Sequence, residues 1–296
     1  MRIVLESFLV AAAAAAPAMA QQALEPDPSG KDIVVQGNRN TRSDIDNFVS
    51  ALTDVRVFGQ VSRFDWAVCP KVFGLDDRQD TAVAERLRDV AGAAGIDVAK
   101  PGCKPNVLVV VTKDVPSLIE GLKRDHPGYF KDVPVEEKRK LKRHGEAAAA
   151  WHIEGRLDAD GVEVPRDRIT GQYVVERTDV PSRISTTTRP HFTSAVVAVD
   201  IDSLDGLTVT QLADYAAMRA FARTDPTRLE KSAAPTILTI LDAPMGSEVP
   251  ITLTEWDFAY LKALYSSTEN RFAGQQRHEM GRKMQKELAA PPKEEE

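Results

Sequence analysis

Cysteine, histidine, basic charge and long apolar runs are all in short supply in this 296-residue chain, and each shortage closes off a class of function. The five histidines, His126, His144, His152, His191 and His278, include no two at a metal-ligand spacing. His278-Glu279 begins an H-E-x-x-H helix motif, but its last position is Arg282, a cation where a ligand must stand. Lys and Arg number 38 against 44 Asp and Glu, a net charge of -6, which excludes a general nucleic-acid binder because such affinity needs a basic surface. Beyond the N-terminus no segment approaches the roughly 20 apolar residues of a transmembrane helix. There is no G-x-S-x-G elbow, no Walker phosphate loop, no G-x-G-x-x-G and no internal repeat, so the common sequence-readable routes to hydrolase, nucleotide or dinucleotide chemistry are empty. No metal site and no cofactor is indicated. Carboxylates are abundant, and nothing in their spacing singles out an acid–base pair.

What is present begins with an export signal. Arg2, an apolar segment from Phe8 through Ala11–Ala16, and Ala18-Met19-Ala20 as the small-x-small site predict cleavage after Ala20 and, with it, a periplasmic location. Residues 21–40 read as a flexible leader, 41–288 as one α+β domain, and 289–296 as a disordered acidic tail. A hydrophobic fraction of 43% supports a substantial core. The two cysteines, Cys69 and Cys103, read most economically as one disulfide in an exported protein, closing a loop of about 35 residues worth about 3 kcal/mol. Two free thiols or a nucleophilic cysteine are the alternatives, and no local motif supplies the base that a nucleophile needs.

Along the chain, apolar spacing predicts a helix from Thr41 or Ser43 to Val55, a strand over Val61–Val68 ending at Cys69-Pro70, and a helix from Asp76 or Asp77 to Ala94 stopped by Gly95. Asn106–Thr112 is a buried strand, so the disulfide would clamp a βαβ unit. Val115–Asp125 and Glu136–His144 read as short helices; the second carries the basic run Lys138–Arg143, taken as a solvated face. Asp158–Gly161 signals a hairpin between Trp151–Leu157 and Val162–Val164, and Tyr173–Glu176 a further strand.

The centre of the chain is Phe192–Arg223. Ala195–Val199 is an unbroken apolar run suited to a strand covered on both faces. Asp200, Asp202, Asp205 and Gly206 form an acidic turn whose spacing does not fit a calcium loop. Thr208 and Gln211 stand at capping-box spacing at the start of an Ala-rich helix. Thr254 opens a helix with Trp256, Tyr260, Leu261 and Leu264 inward, and a final helix covers Arg271–Leu288.

This order of elements resembles the N-terminal half of the zinc metalloproteases called zincins. Ile237–Tyr265, with its LT-x-x-D…L…LY pattern, and the half-motifs CPKVFGL and GCKPNVLVVV are similar to secreted domain-of-unknown-function families of Gram-negative bacteria related to zincins. The resemblance covers most of residues 60–288. It implies a mixed β-sheet packed by helices, zincin-like, with a helical C-terminal part. The zincin H-E-x-x-H motif would fall on Thr210, Gln211, Leu212, Ala213 and Asp214, so both histidines are absent and an amide replaces the general-base Glu. The implied protein is a non-catalytic relative whose degenerate cleft, bordered by Thr210, Gln211 and Asp214, binds an unspecified protein or envelope ligand. A periplasmic hydrolase acting on peptides or cell-wall material, drawing on the acids beside the central helix, is the alternative.

Overall fold

A computed structural model describes residues 41–53, 59–130, 133, 138–139, 141, 146–167, 169–174, 186–231, 234–244 and 246–290. The expected signal segment and leader, most of the expected tail, most of the expected Glu136–His144 helix and half of the expected Tyr173–Glu176 strand lie outside them.

The described strands form one mixed sheet. β1 (Pro70–Phe73), β2 (Val107–Thr112) and β4 (Thr188–Asp200) run parallel, and β3 (Ala148–Asp158) closes the order β1-β2-β4-β3 antiparallel to β4. The apolar run in β4 is buried on both faces, as its composition demands. Ala195, Val197 and Val199 point into the larger core, and Val196 and Ala198 into a smaller one with Val115, Ile119, Phe130 and Trp151. The larger core is built by α1 (Arg42–Leu52), α2 (Asp77–Ala93), α4 (Val209–Phe221), α5 (Glu255–Ser266) and α6 (Ala273–Leu288). The smaller is covered by α3 (Val115–Asp125) and the turn Pro127–Phe130.

Most helix starts are fixed locally. Thr41, Asp76, Asp114, Thr208 and Thr254 each accept a backbone N–H of the first turn through their side chains, and Thr41, Thr208 and Thr254 complete capping boxes. Gly95, at φ 84°, follows the end of α2 in the left-handed conformation that a helix stop uses.

The expected strand over Val61–Val68 is corrected. Only two isolated bridges form there, Arg63 with His191 and Val68 with Val98, and the true ladder begins at Pro70. The cause is long-range. Arg63 is buried and donates to the carbonyls of Leu264 and Ser267 at 2.7 and 2.9 Å, which ties the segment to the end of α5. Pro70, lacking an N–H, is suited to the first position of an edge strand. Cys69 therefore precedes β1 instead of ending a strand, and the Cys69–Cys103 disulfide, Cα–Cα 6.1 Å, joins the approaches to two adjacent parallel strands. Asn106 reinforces the same junction, accepting the Cys69 N–H at 2.7 Å and donating to Ala67 O at 3.1 Å.

The Asp158–Gly161 turn forms, with Asp158 accepting the N–H groups of Asp160 and Val162 and Gly161 at φ 80°. Its return is a single bridge, Leu157 with Glu163, because β3 finds its main partner in β4.

With a sequence separation of 34 residues, replacing Cys69 and Cys103 by Ala should lower unfolding free energy by roughly 3–4 kcal/mol. Denaturant midpoints of the oxidised protein and the variant check this; coincident midpoints would remove the clamp from the account.

Candidate functional site

α4 runs through the middle of the larger core, and nearly all its residues are buried. Ala213, Ala216, Ala217 and Ala220 leave no side-chain bulk between its backbone and its neighbours, so any polar residue on it must find an internal partner. Asp214, fully buried, does so through both carboxylate oxygens. Arg86 of α2 donates Nε to Oδ1 at 2.8 Å and Nη2 to Oδ2 at 3.1 Å; the Thr252 hydroxyl and the Leu253 N–H reach Oδ2 at 2.6 and 2.8 Å. Gln211 accepts the Thr208 N–H at 2.9 Å and donates Nε2 to Pro250 O at 2.8 Å. Thr210 is buried beside them. The three residues assigned to a degenerate cleft thus sit inside the protein, and Gln211 and Asp214 fasten the 250–253 segment ahead of α5. Asp200 caps a short 3-10 turn by accepting the Asp202 N–H, and Asp202 and Asp205 are exposed, so the acids near α4 do not converge with Asp214. Among the described residues no group of three or more His, Cys, Asp or Glu is placed to hold a metal ion.

A second buried carboxylate plays a matching part. Asp257 accepts from the Thr236 hydroxyl at 2.6 Å, the Ile237 N–H at 2.8 Å, and the hydroxyl and N–H of Thr254. Burial outweighs these bonds and pushes its carboxyl up to about 6.

Where α4 leaves the core its chemistry changes. Tyr215 and Arg219 fall one helical turn apart, and Arg223 follows the end of the helix, where Ala222 is extended at φ -139° and ψ 149°. His152 of β3 is stacked on Phe192, ring centroids 4.0 Å apart, and its Nε2 lies 2.9 Å from Ala220 O, so that nitrogen carries the proton and donates. Its Nδ1 is buried without a partner. Burial, then the positive charges of Arg223 and Arg219, hold the imidazole down at about 3, against the pull of the bond to Ala220. Glu154, on the same face of β3, pairs with Arg223 at 2.8 Å. Arg219 donates Nη1 to the Tyr215 hydroxyl at 3.2 Å.

Among the described residues β3 is an edge of the sheet. Among the described residues, backbone bonds reach its outer side only at the far end, Val164 N–H to Arg156 O and Asp158 N–H to Val162 O. Ala148–Ile153 carries no Pro, no charge and no bulge; the irregularity in the ladder and the first charge come at Ile153/Glu154. Edge strands are ordinarily guarded by such devices. Sequence reading missed these side chains, although the i, i+4 spacing of Tyr215 and Arg219 was visible.

A third polar cluster closes the other end of β4. His191 is fully buried with both nitrogens unpartnered, beneath the half-exposed ring of Trp66 at 4.5 Å, and is held down at about 4 by burial and by Arg189. Gly155 makes the room: a Cβ there would stand 2.6 Å from His191 Nε2.

Two predictions concern stability. His152 and His191 have folded pKa values below that of a free imidazole, so the unfolded chain takes up protons first. Their stabilising contribution is complete above about pH 6.5 and is lost as pH falls toward 4 and then 3, by about 3 kcal/mol for His152 and less for His191. Asp257 acts with the opposite sign, favouring the fold below about pH 4 and losing that contribution as pH rises through about 6. Urea melts from pH 7 to 4 should show a steep acid limb that His152→Gln flattens; an unchanged limb would refute the assignment. Asp214→Asn should cost roughly 3–5 kcal/mol by leaving Arg86 without its carboxylate, measured at pH 7.

No protein-family model, curated protein or solved structure matches this chain.

Proposed function

We propose that this is an exported, periplasmic protein that acts as a non-catalytic, metalloprotease-like binding or envelope component, and that its ligand is an extended polypeptide segment added to the free edge of β3 beside α4. The observation that carries the reading is that edge: Ala148–Ile153 offers its outer backbone groups among the described residues without the usual guards. Strand addition takes its affinity from main-chain hydrogen bonds and its selectivity from neighbouring side chains, here those of Tyr215, Arg219, Arg223 and Glu154. The Cys69–Cys103 disulfide supports an oxidising compartment, in keeping with the N-terminal export signal. The full engagement of Asp214 and Gln211 in internal bonds supports a non-catalytic role, because neither is left to activate water.

Hydrogen exchange on the mature protein with a randomised decapeptide pool tests this. Slowed exchange of amides within residues 148–155 is expected; no protection, or protection confined to another face, would sink the proposal. Truncated peptides in the same mixture would instead favour the periplasmic hydrolase. Intact mass of the protein recovered from the envelope should correspond to a chain beginning at Gln21.

A further inference from the structure

Among the described residues, His191 alone is an imidazole with no exposed surface and no hydrogen-bond partner at either nitrogen. A neutral ring left so is short of one donor bond and one acceptor bond, whereas a protonated ring would be an ion with neither bonds nor hydration. What covers the ring therefore decides whether it can be charged.

Its walls differ in what they can yield. On one side is the backbone of β3 at Gly155, where even a Cβ would come within 2.6 Å of Nε2, and that strand is fixed by its ladder with β4. On the other is Trp66, its ring centroid 4.5 Å away and the residue 42% exposed. The chain carrying Trp66 is pinned before and after it. Arg63 O accepts the Phe192 N–H at 2.8 Å and Phe64 packs edge-on against Phe192; further on, Ala67 O accepts from Asn106 at 3.1 Å and the Val68 N–H donates to Asp97 O at 2.8 Å. Among the described residues no backbone bond holds Asp65 or Trp66 themselves, and Trp66 lies on a bend.

The charges around the ring do not favour its protonation in place. β4 brings Arg189, whose positive charge bears on the imidazole, and no carboxylate offsets it. The bend brings Asp65, 3.3 Å from Arg189 Nε and itself held up by burial. Arg63 and Glu269 pair with each other, and Glu269 reaches Arg189 at 2.9 Å. On β3, Glu154 pairs with Arg223, and Arg156 donates to Thr188 and Gln60.

We propose that His191 and Trp66 form an acid-operated latch, in which protonation of the buried ring drives Trp66 outward on the Asp65-Trp66 bend, so that water reaches the ring nitrogens while the sheet stays intact. The attraction of a cation for an exposed indole face opposes this movement and is weaker than the loss of hydration by a buried ion. Opening presents an apolar ring to solvent and uncovers this part of β4, which gives the protein in acid a surface that it lacks at neutral pH. The covered ring is held down at about 4 and a free one titrates near 6.5, so opening is favoured about a hundredfold more at pH 4 than at pH 7.

Fluorine NMR of the protein labelled with fluorotryptophan tests the latch, because the chain has three tryptophans and Trp151 and Trp256 are buried in the two cores. The Trp66 resonance, assigned with Trp66→Phe, should move to the solvent-exposed position between pH 7 and 4 while the other two keep their folded positions. Movement of all three together, or of none, overturns the proposal. His191→Gln should abolish the separate movement of Trp66. Trp66→Ala, a change at a half-exposed side chain, gives a second measure: His191 should become about tenfold or more easier to protonate than in the parent. An unchanged His191 titration in that variant removes Trp66 as its cover and ends the proposal.

Discussion

A carboxylate cannot be left alone in the centre of a protein, and Asp214 shows how much structure follows from that constraint. It sits at the midpoint of the most buried helix, so α4 can only pack where a cation and further donors converge on it. Arg86 brings α2, and Thr252 and Leu253 bring the chain that precedes α5. One side chain thereby fixes the relative placing of two helices and the start of a third. Asp257 repeats the device for the Thr236–Ile237 turn. Apolar packing supplies the driving force, and these anchored acids add position, since a hydrophobic contact tolerates sliding that a four-donor carboxylate does not.

The sheet works in the same division of labour. The parallel half is clamped at one end by the disulfide and Asn106 and buried on both faces in β4. The antiparallel strand β3 is placed by its register with β4, by Trp151 stacked on Phe130, and by His152 donating to α4. Among the described residues no backbone bond reaches the outer side of β3 over Ala148–Ile153, and Arg219 and Arg223 stand near His152. The site proposed for binding is thus a by-product of how the core is closed.

Much of the scaffold was legible in the sequence. Thr208 and Thr254 marked helix starts, and Thr41 and Asp76 were each one of two candidates, because capping is settled within four residues. The run Ala195–Val199 disclosed a doubly covered strand, and two cysteines behind an expected export signal left one economical pairing. The misplacement of the first strand has a physical source: Arg63 meets its carbonyl partners 201 and 204 residues away, which no local pattern displays. The candidate site was less legible for the same reason. Asp214 and Gln211 stood at the positions of a degenerate cleft, with capping as the other reading of Gln211, until their partners were in view.

The sequence by itself determined the α+β class, the helix starts, the βαβ unit and the cysteine pair, since periodicity, capping and covalent chemistry act over short spans. Tertiary structure alone decided which acids are buried, which guanidinium groups meet them, and which described strand stands at the edge. Those properties depend on desolvation and on partners distant in the chain, Arg86 being 128 residues from Asp214. A charge acquires its role only when folding chooses what surrounds it.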